Sequence, residues 1–279
     1  MVQVTSMIFG LAAMIIAEAA PKSLSDNLPA YEIPDFDYQT LSSGNTPNDV
    51  LTALKKDGII SFTNVPSYAQ VRSTYLNLAA TCAVSAKETN AEFLLQKTLT
   101  DGTKRYTISA VSGQDTDASA TETDKMCPGY KQVYDEFSSL LEMVVLTVAT
   151  TLDATTFTTK DGYGKSISSR KLLMEAAHVD HFHAYLNPHQ SERQLQQSNS
   201  VIQSSSDYSL ELHTDDGMFI VFATPSFYKV DTNSTNYTLE SLSTDSTDHS
   251  ETGLIIQLHD GQLVRPILKP NQITLMVGT

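Results

Sequence analysis

The sequence predicts an α+β fold in which a helical N-terminal half packs on a jelly roll. Two observations predict this class. Apolar residues recur at helical spacing in several segments before about Leu152. The remainder contains short runs of β-formers separated by turn residues, among them "HFHAYL", "MFIVFAT" and "QITLMVG". Many short strands after a helical half are typical of a sandwich or a jelly roll.

The first predicted helix lies in "TPNDVLTALKKDG". Thr46 is placed as its N-cap, Pro47 at the first helical position and Gly58 as its stop. "IISFTNVP" follows as a strand that ends at Pro66. A second helix is predicted from Ser67, where apolar residues again recur at helical spacing.

Residues 85–125 are polar and rich in Thr and Asp, and we expect loops and short strands there. After "CPG", a long helix is predicted that runs to about Leu152. Val133, Phe137 and Leu140 lie on one face of that helix, which indicates a buried side.

In the second half, "HDGQ" at 259–262 is typical of a tight hairpin. Two polar inserts, 189–207 and 231–252, interrupt the predicted strands. Both have too few apolar residues to offset the entropy of ordering, so we expect exposed loops.

Composition excludes some classes of partner. The chain has 279 residues, 41% of them apolar, and its 32 acidic and 18 basic residues give a net charge of −14. Such a chain does not bind nucleic-acid phosphates or an anionic membrane surface electrostatically. We therefore expect no nucleic-acid or membrane partner and a charge that serves solubility. Separately, we expect a monomer.

The N-terminus indicates a compartment. Met7 to Ala17 form an apolar block that is too short to span a bilayer, and Ala17-Glu18-Ala19 fits a small-x-small cleavage site. No Lys or Arg precedes the block, so an ordinary N-terminal helix is the alternative. We expect residues 1–19 to be a signal peptide and the protein to be secreted or ER-lumenal; without cleavage it is cytoplasmic.

Two cysteines and two glycosylation sequons also bear on whether the protein is secreted. Cys82 and Cys127 can form one disulfide in an oxidising compartment, and two unpaired buried thiols are the alternative. Two adjacent glycosylation sequons begin at Asn233 and Asn236 and agree with secretion.

The candidate metal ligands are His213 and Asp215 in "ELHTDDGMFIVFATP". Side chains two apart on a strand lie on the same face, so an imidazole and a carboxylate can converge. With a second His they form the two-His-one-carboxylate arrangement of non-haem iron(II) oxygenases. A second His-x-Asp occurs at His178 and Asp180, without that context.

Several segments, in order, resemble the isopenicillin N synthase-like family of iron(II)/2-oxoglutarate-dependent dioxygenases. They are "YEIPDFDY", "ALKKDGIISFTNVP", His213-Thr214-Asp215 before an apolar strand, "GLIIQLHDGQLVRPI" and "ITLMVGT". The resemblance covers the chain from about Tyr31 onwards. It implies a helical N-terminal region at 20–165 and a jelly-roll region at 166–279.

The resemblance implies a double-stranded β-helix, cupin-like, and an enzyme that oxidises a small-molecule substrate. It implies Fe(II) as cofactor, held by His213 and Asp215, and 2-oxoglutarate as cosubstrate. Tyr185, near Pro188, is the candidate to contact 2-oxoglutarate. No residue is assigned a catalytic role.

A third ligand is not found where the family places it. The family's second His and the Arg that binds 2-oxoglutarate follow the segment matched by "ITLMVGT", and here the sequence stops at Thr279. His249 and His259 follow Asp215 but lie in a polar insert and in a hairpin turn. The expectation is therefore a jelly roll with its last strands missing, and weak iron binding without turnover.

Two functions remain open at this point. The first is an iron(II)/2-oxoglutarate oxygenase or a truncated, inactive relative. The alternative is a secreted, non-catalytic binding or surface protein on a degenerate jelly roll. A metal site built from His178, Asp180 and His183 is a further alternative.

Overall fold

The structure is a computed structural model. It describes residues 7–12, 28–86, 91, 93–99, 102–112, 116–186, 213, 217–231, 238–241 and 254–278. The described residues form six helices: α1 Tyr38–Ser42, α2 Pro47–Asp57, α3 Tyr68–Ala86, α4 Thr116–Met126, α5 Tyr130–Asp153 and α6 Ser169–Glu175. No helix within these ranges is long and apolar enough to cross a membrane.

The strands of the first half are short. They are β1 Met7–Ala12, β2 Ala30–Tyr31, β3 Asp35–Asp37, β4 Ile59–Thr63, β5 Leu94–Thr98 and β6 Lys104–Ser112. The remaining strands are β7 Thr159–Lys160, β8 Ser166–Ile167, β9 His178–Leu186, β10 Phe219–Ala223, β11 Tyr228–Asp231, β12 Thr238–Ser241, β13 Ile256–Gln257, β14 Leu263–Pro266 and β15 Ile273–Val277.

Two four-stranded sheets organise the described chain. Sheet 1 has the order β1-β9-β6-β5, and sheet 2 has the order β10-β15-β4-β3. A smaller sheet has the order β13-β14-β2, and β11-β12 and β7-β8 form hairpins. In sheet 1, β9 lies antiparallel to β6 and parallel to β1. In sheet 2, β15 lies antiparallel to both β10 and β4.

Helix α2 begins and ends where its sequence predicts. Pro47 occupies the first turn, and Gly58 caps the C-terminus with φ 70°, a left-handed conformation that glycine adopts without steric cost. Thr46 is the N-cap residue, although its side chain makes no capping hydrogen bond. β4 and the long helices α3 and α5 also lie where the sequence predicts them.

The main core lies between the helices and one face of both sheets. Phe182 of β9, Ile108 of β6, Val221 of β10 and Leu275 of β15 all belong to this one cluster with residues of α3 and α5. Because both sheets present one face to the same helices, their opposite faces point away from the helices.

A second, smaller cluster covers the other face of sheet 2. Ile59 and Phe222 of that sheet pack there against Ile256 and Val264 of the β13-β14 hairpin. The same side of sheet 1 carries half-buried residues of β6 and β9, among them Arg105, His183 and Tyr185. We call it the open face because it points away from the helices.

The predicted disulfide is confirmed. Cys82, near the end of α3, is bonded to Cys127, which lies between α4 and α5, with Cα atoms 5.7 Å apart. The bridge fixes the packing of the helices that support sheet 1.

Two predictions for polar segments are wrong in part. Residues 116–126, all but the last of which lie within 85–125, form helix α4, whose Ala120 and Thr123 are buried. Within 231–252, β12 pairs with β11, and Leu239 packs against the main core. In both segments a few apolar contacts outweigh a polar composition. The insert 189–207 lies outside the described residues.

The N-terminal block is described only in part. Met7–Ala12 forms a strand, not the helix considered as the alternative. The proposed cleavage site at Ala17-Glu18-Ala19 lies outside the described residues, so the signal peptide stays a prediction.

Candidate functional site

Strand β9 has two chemically different faces. His178, Asp180 and Phe182 are buried and face the helices, whereas His181 and His183 alternate with them and are half-buried on the open face. This alternation follows from the period of two along a strand.

The carboxylate of Asp180 is held on the helix side. The Tyr134 hydroxyl donates to its Oδ2 at 2.7 Å and the Ser138 hydroxyl donates to the same atom at 2.6 Å. Burial raises the pKa of Asp180, although these two hydrogen bonds oppose the shift. His178, on the same face, pairs through Nε2 with the Leu173 carbonyl oxygen at 2.8 Å.

The metal site considered for His178, Asp180 and His183 is therefore wrong. His183 lies on the opposite face of β9 from the other two. Among the described residues, no group of three or more His, Cys, Asp or Glu is placed to hold a metal ion. The buried pair contributes to packing and hydrogen bonding within the fold.

Asp180→Asn is expected to remove one component of the pH dependence of stability. Because the folded pKa of Asp180 is raised above its ordinary 3.8, its contribution to stability is fully present below that value and is lost as pH rises through the folded pKa. The variant should therefore gain stability relative to the unaltered protein as pH rises from about 3.8 towards neutrality.

Urea unfolding of both proteins at several pH values measures this difference. Glu136→Gln, an exposed acid on α5, is the control for loss of one negative charge. A stability difference for Asp180→Asn that stays constant with pH, or that falls as pH rises, contradicts the assignment.

The open face of β9 carries the predicted aromatic row. The rings of His181 and His183 have centroids 5.4 Å apart, and those of His183 and Tyr185 are 6.1 Å apart. The prediction that these three share a face is confirmed. His183 Nδ1 lies 2.8 Å from the Thr107 hydroxyl of β6, directly across the ladder.

Arg105 governs the electrostatics of this row. It lies directly opposite Tyr185 and makes a side-chain hydrogen bond to it. Burial lowers the pKa of His183 to about 3, with further lowering by the Arg105 and His181 charges, so His183 is neutral at physiological pH. Burial raises the pKa of Tyr185 despite Arg105, so its hydroxyl stays protonated.

The predicted metal ligands lie in a different segment. His213 is exposed and precedes β10 in the chain. The Gly278 N–H, just after β15, donates a hydrogen bond to the carbonyl oxygen of Met218, just before β10, at 3.1 Å. Asp215 lies outside the described residues. The structure thus groups Tyr185 with His183 and Arg105.

Sequence reasoning missed Arg105 and its neighbour Lys97 on β5. Lys97 lies directly opposite Arg105 in the β5-β6 ladder. The alternation in "KRYTISA" could have identified the strand, because Tyr106 and Ile108 are apolar and Arg105 and Thr107 are polar. The partner strand could not be identified from that pattern.

No family model matches the chain, and no curated protein matches it. Among solved structures, the fold is similar to the full-length Neurospora crassa protein crystallised with alpha-KG and 5-formyluracil, at 15% identity and a TM-score of 0.48, over 88% of this chain and 71% of that chain. It is also similar to dioxygenase for auxin oxidation 1 from Arabidopsis thaliana with 2-oxoglutarate, at 11% identity and a TM-score of 0.47, over 88% of this chain and 93% of that chain.

Proposed function

We propose that the protein is an iron(II)/2-oxoglutarate-dependent oxygenase of a small-molecule substrate, with His213 and Asp215 as two of the metal ligands. The observation that supports this most is the order of the segments. His213-Thr214-Asp215 directly precedes β10, and the β13-β14 hairpin and β15 follow, as in the family that the sequence resembles.

The donor chemistry fits iron(II). An imidazole and a carboxylate are two of the three ligands of the facial arrangement that leaves positions open for cosubstrate and oxygen. His213 is exposed, so a metal can reach it. When bound, the iron supplies the oxidation of a substrate C–H bond by oxygen, coupled to decarboxylation of 2-oxoglutarate.

Residues of the open face would bind and orient the organic ligands. Arg105 donates a hydrogen bond to the Tyr185 hydroxyl oxygen, so the Tyr185 O–H remains a donor towards a ligand. His183 is neutral, so its ring offers a surface for the ligand and does not compete with Arg105 for a carboxylate. Tyr185 is accordingly the proposed contact for 2-oxoglutarate.

Anaerobic iron(II) titration of the full chain tests the metal ligands. His213→Ala and Asp215→Ala are each expected to lower iron affinity by more than about 10-fold, because loss of even an indirect partner of a ligand typically costs about 10–100-fold. His259→Ala is the matched control, since His259 is exposed in the β13-β14 turn. The titration extends to millimolar metal because only two ligands are assigned.

Succinate formation from 2-oxoglutarate in the presence of oxygen then measures the reaction. Equal iron affinity in the unaltered protein and both ligand variants would show that His213 and Asp215 do not hold the metal. Absence of any iron uptake by the unaltered protein at millimolar metal would reject the metal site itself.

A further inference from the structure

The open face of sheet 1 concentrates positive charge in an acidic protein. We call its described residues on β5, β6 and β9 the basic face: Leu95, Lys97, Arg105, Thr107, Ser109, Val179, His181, His183 and Tyr185. None of these residues is acidic, although the chain as a whole carries a net charge of −14.

Lys97, Arg105 and Tyr185 form one transverse row of this face. Lys97 is paired with Arg105 across β5-β6, and Arg105 is paired with Tyr185 across β6-β9. Like charges directly opposite each other destabilise an antiparallel ladder. The row therefore carries an electrostatic cost that an anion placed between the two cations would remove.

Arg105 also has unused hydrogen-bonding capacity. Its Nε is buried and has no hydrogen-bond partner among the described residues. No ion pair of Arg105 with a described carboxylate is seen. A guanidinium presents five N–H donors in a fork that matches a carboxylate, and a buried donor without a partner is costly.

An apolar and aromatic surface adjoins the charged row. Leu95, Thr107 and His183 form the next transverse row, and Leu95 is 61% exposed. The rings of His181, His183 and Tyr185 continue this surface along β9. A ligand with a carboxylate at Arg105 would thus lay its carbon skeleton against ring faces and an exposed leucine.

We propose that the basic face binds a small organic acid, whose carboxylate accepts hydrogen bonds from Arg105 and the Tyr185 hydroxyl and is paired with Lys97. The site itself does not depend on iron. Its ligand has two possible sources if the proposed function is correct: the cosubstrate 2-oxoglutarate or the carboxylate of a substrate.

Isothermal titration calorimetry on the full chain, with a chelator present to exclude metal, tests the site. The probes are 2-oxoglutarate and phenylacetate, a dicarboxylate and an aromatic monocarboxylate. Arg105→Gln is expected to weaken binding about 10- to 100-fold, the usual effect of losing hydrogen bonds to a charged group. Tyr185→Phe is expected to weaken it about 10-fold.

Lys104→Gln is the matched control, because it removes one positive charge from the same strand at an exposed position outside the basic face. It should leave binding unchanged. Arg105→Lys keeps the charge but loses the fork, and it should bind with intermediate affinity if the guanidinium geometry is used. Circular dichroism establishes that each variant is folded.

The site is supported if either probe binds and if Arg105→Gln weakens that binding whereas Lys104→Gln does not. The probe that binds more tightly then identifies the source of the carboxylate. Equal binding by the unaltered protein and Arg105→Gln overturns it, as does a failure of both probes to bind at millimolar concentration. The calorimetric titration contains a chelator and reports on the basic face alone, whereas the anaerobic iron(II) titration reports on the metal site alone. Failure of the metal site is thereby distinguished from failure of the basic face.

Discussion

Removal of the disulfide is expected to lower the free energy of unfolding by about 4 kcal/mol. The bridge between Cys82 and Cys127 closes a loop with a sequence separation of 45 residues. In the chain-entropy account, closing a loop of this length lowers the conformational entropy of the unfolded chain, and this raises its free energy by about 4 kcal/mol. Typical domains are stable by only about 5–15 kcal/mol, so the loss is a large part of the total.

The measurement compares denaturant unfolding of the unaltered, oxidised protein with that of the double variant Cys82→Ala and Cys127→Ala. Alanine is the replacement because both sites are buried and serine would add a polar group. Under conditions in which the same variant is folded, its affinity for carboxylates at the basic face should be unchanged. If the free energy of unfolding fell by less than about 1 kcal/mol, the unfolded variant would retain structure that the bridge otherwise enforces, and the prediction would be wrong.

The structural reason for this sensitivity is the packing behind β9. Tyr75 of α3 stacks on Phe137 of α5 with ring centroids 4.8 Å apart, and it meets Phe182 of β9 edge-on at 6.0 Å. The disulfide ties α3 to the start of α5, and these helices carry the aromatic cluster. The cluster in turn fixes the strand whose other face carries His183 and Tyr185.

Local patterns in the sequence were sufficient for the long helices and for several strands. Helix α2 has a proline at its start and a glycine at its end, and α5 has a continuous apolar stripe, so each is determined by residues within a few turns. Helix α4 was missed because its composition is polar. Ala120 and Thr123 are buried by the packing of α4 against α5 and β6. The sequence does not show that these elements are neighbours in the fold.

The candidate site, like the fold, could be predicted from the sequence only in part. Alternation along β9 alone predicts that His181, His183 and Tyr185 share a face. The role of Arg105 depends on the register between β6 and β9, and the Thr107–His183 contact joins residues 76 positions apart. Periodicity in one strand carries no information about such a register, so a single sequence could not supply it.

Arg72→Met is expected to lower the free energy of unfolding by about 3 kcal/mol. Arg72 is buried on α3, and its guanidinium donates to the carbonyl oxygens of Thr224 and Pro225 and to the Ser226 hydroxyl. These acceptors lie in the turn that follows β10. Methionine fills much of the same space, but it leaves buried carbonyl groups without their charged donor.

Arg170→Met, at an exposed position on α6, is the control and should change the free energy of unfolding by less than about 0.5 kcal/mol. Arg72→Lys should fall between the two, because an ammonium group cannot reach three acceptors with the geometry of a planar fork. If Arg72→Met were as stable as the unaltered protein, the cost of burying the guanidinium would equal everything its hydrogen bonds return. The contact between α3 and the turn after β10 would then fix the position of sheet 2 without stabilising the fold.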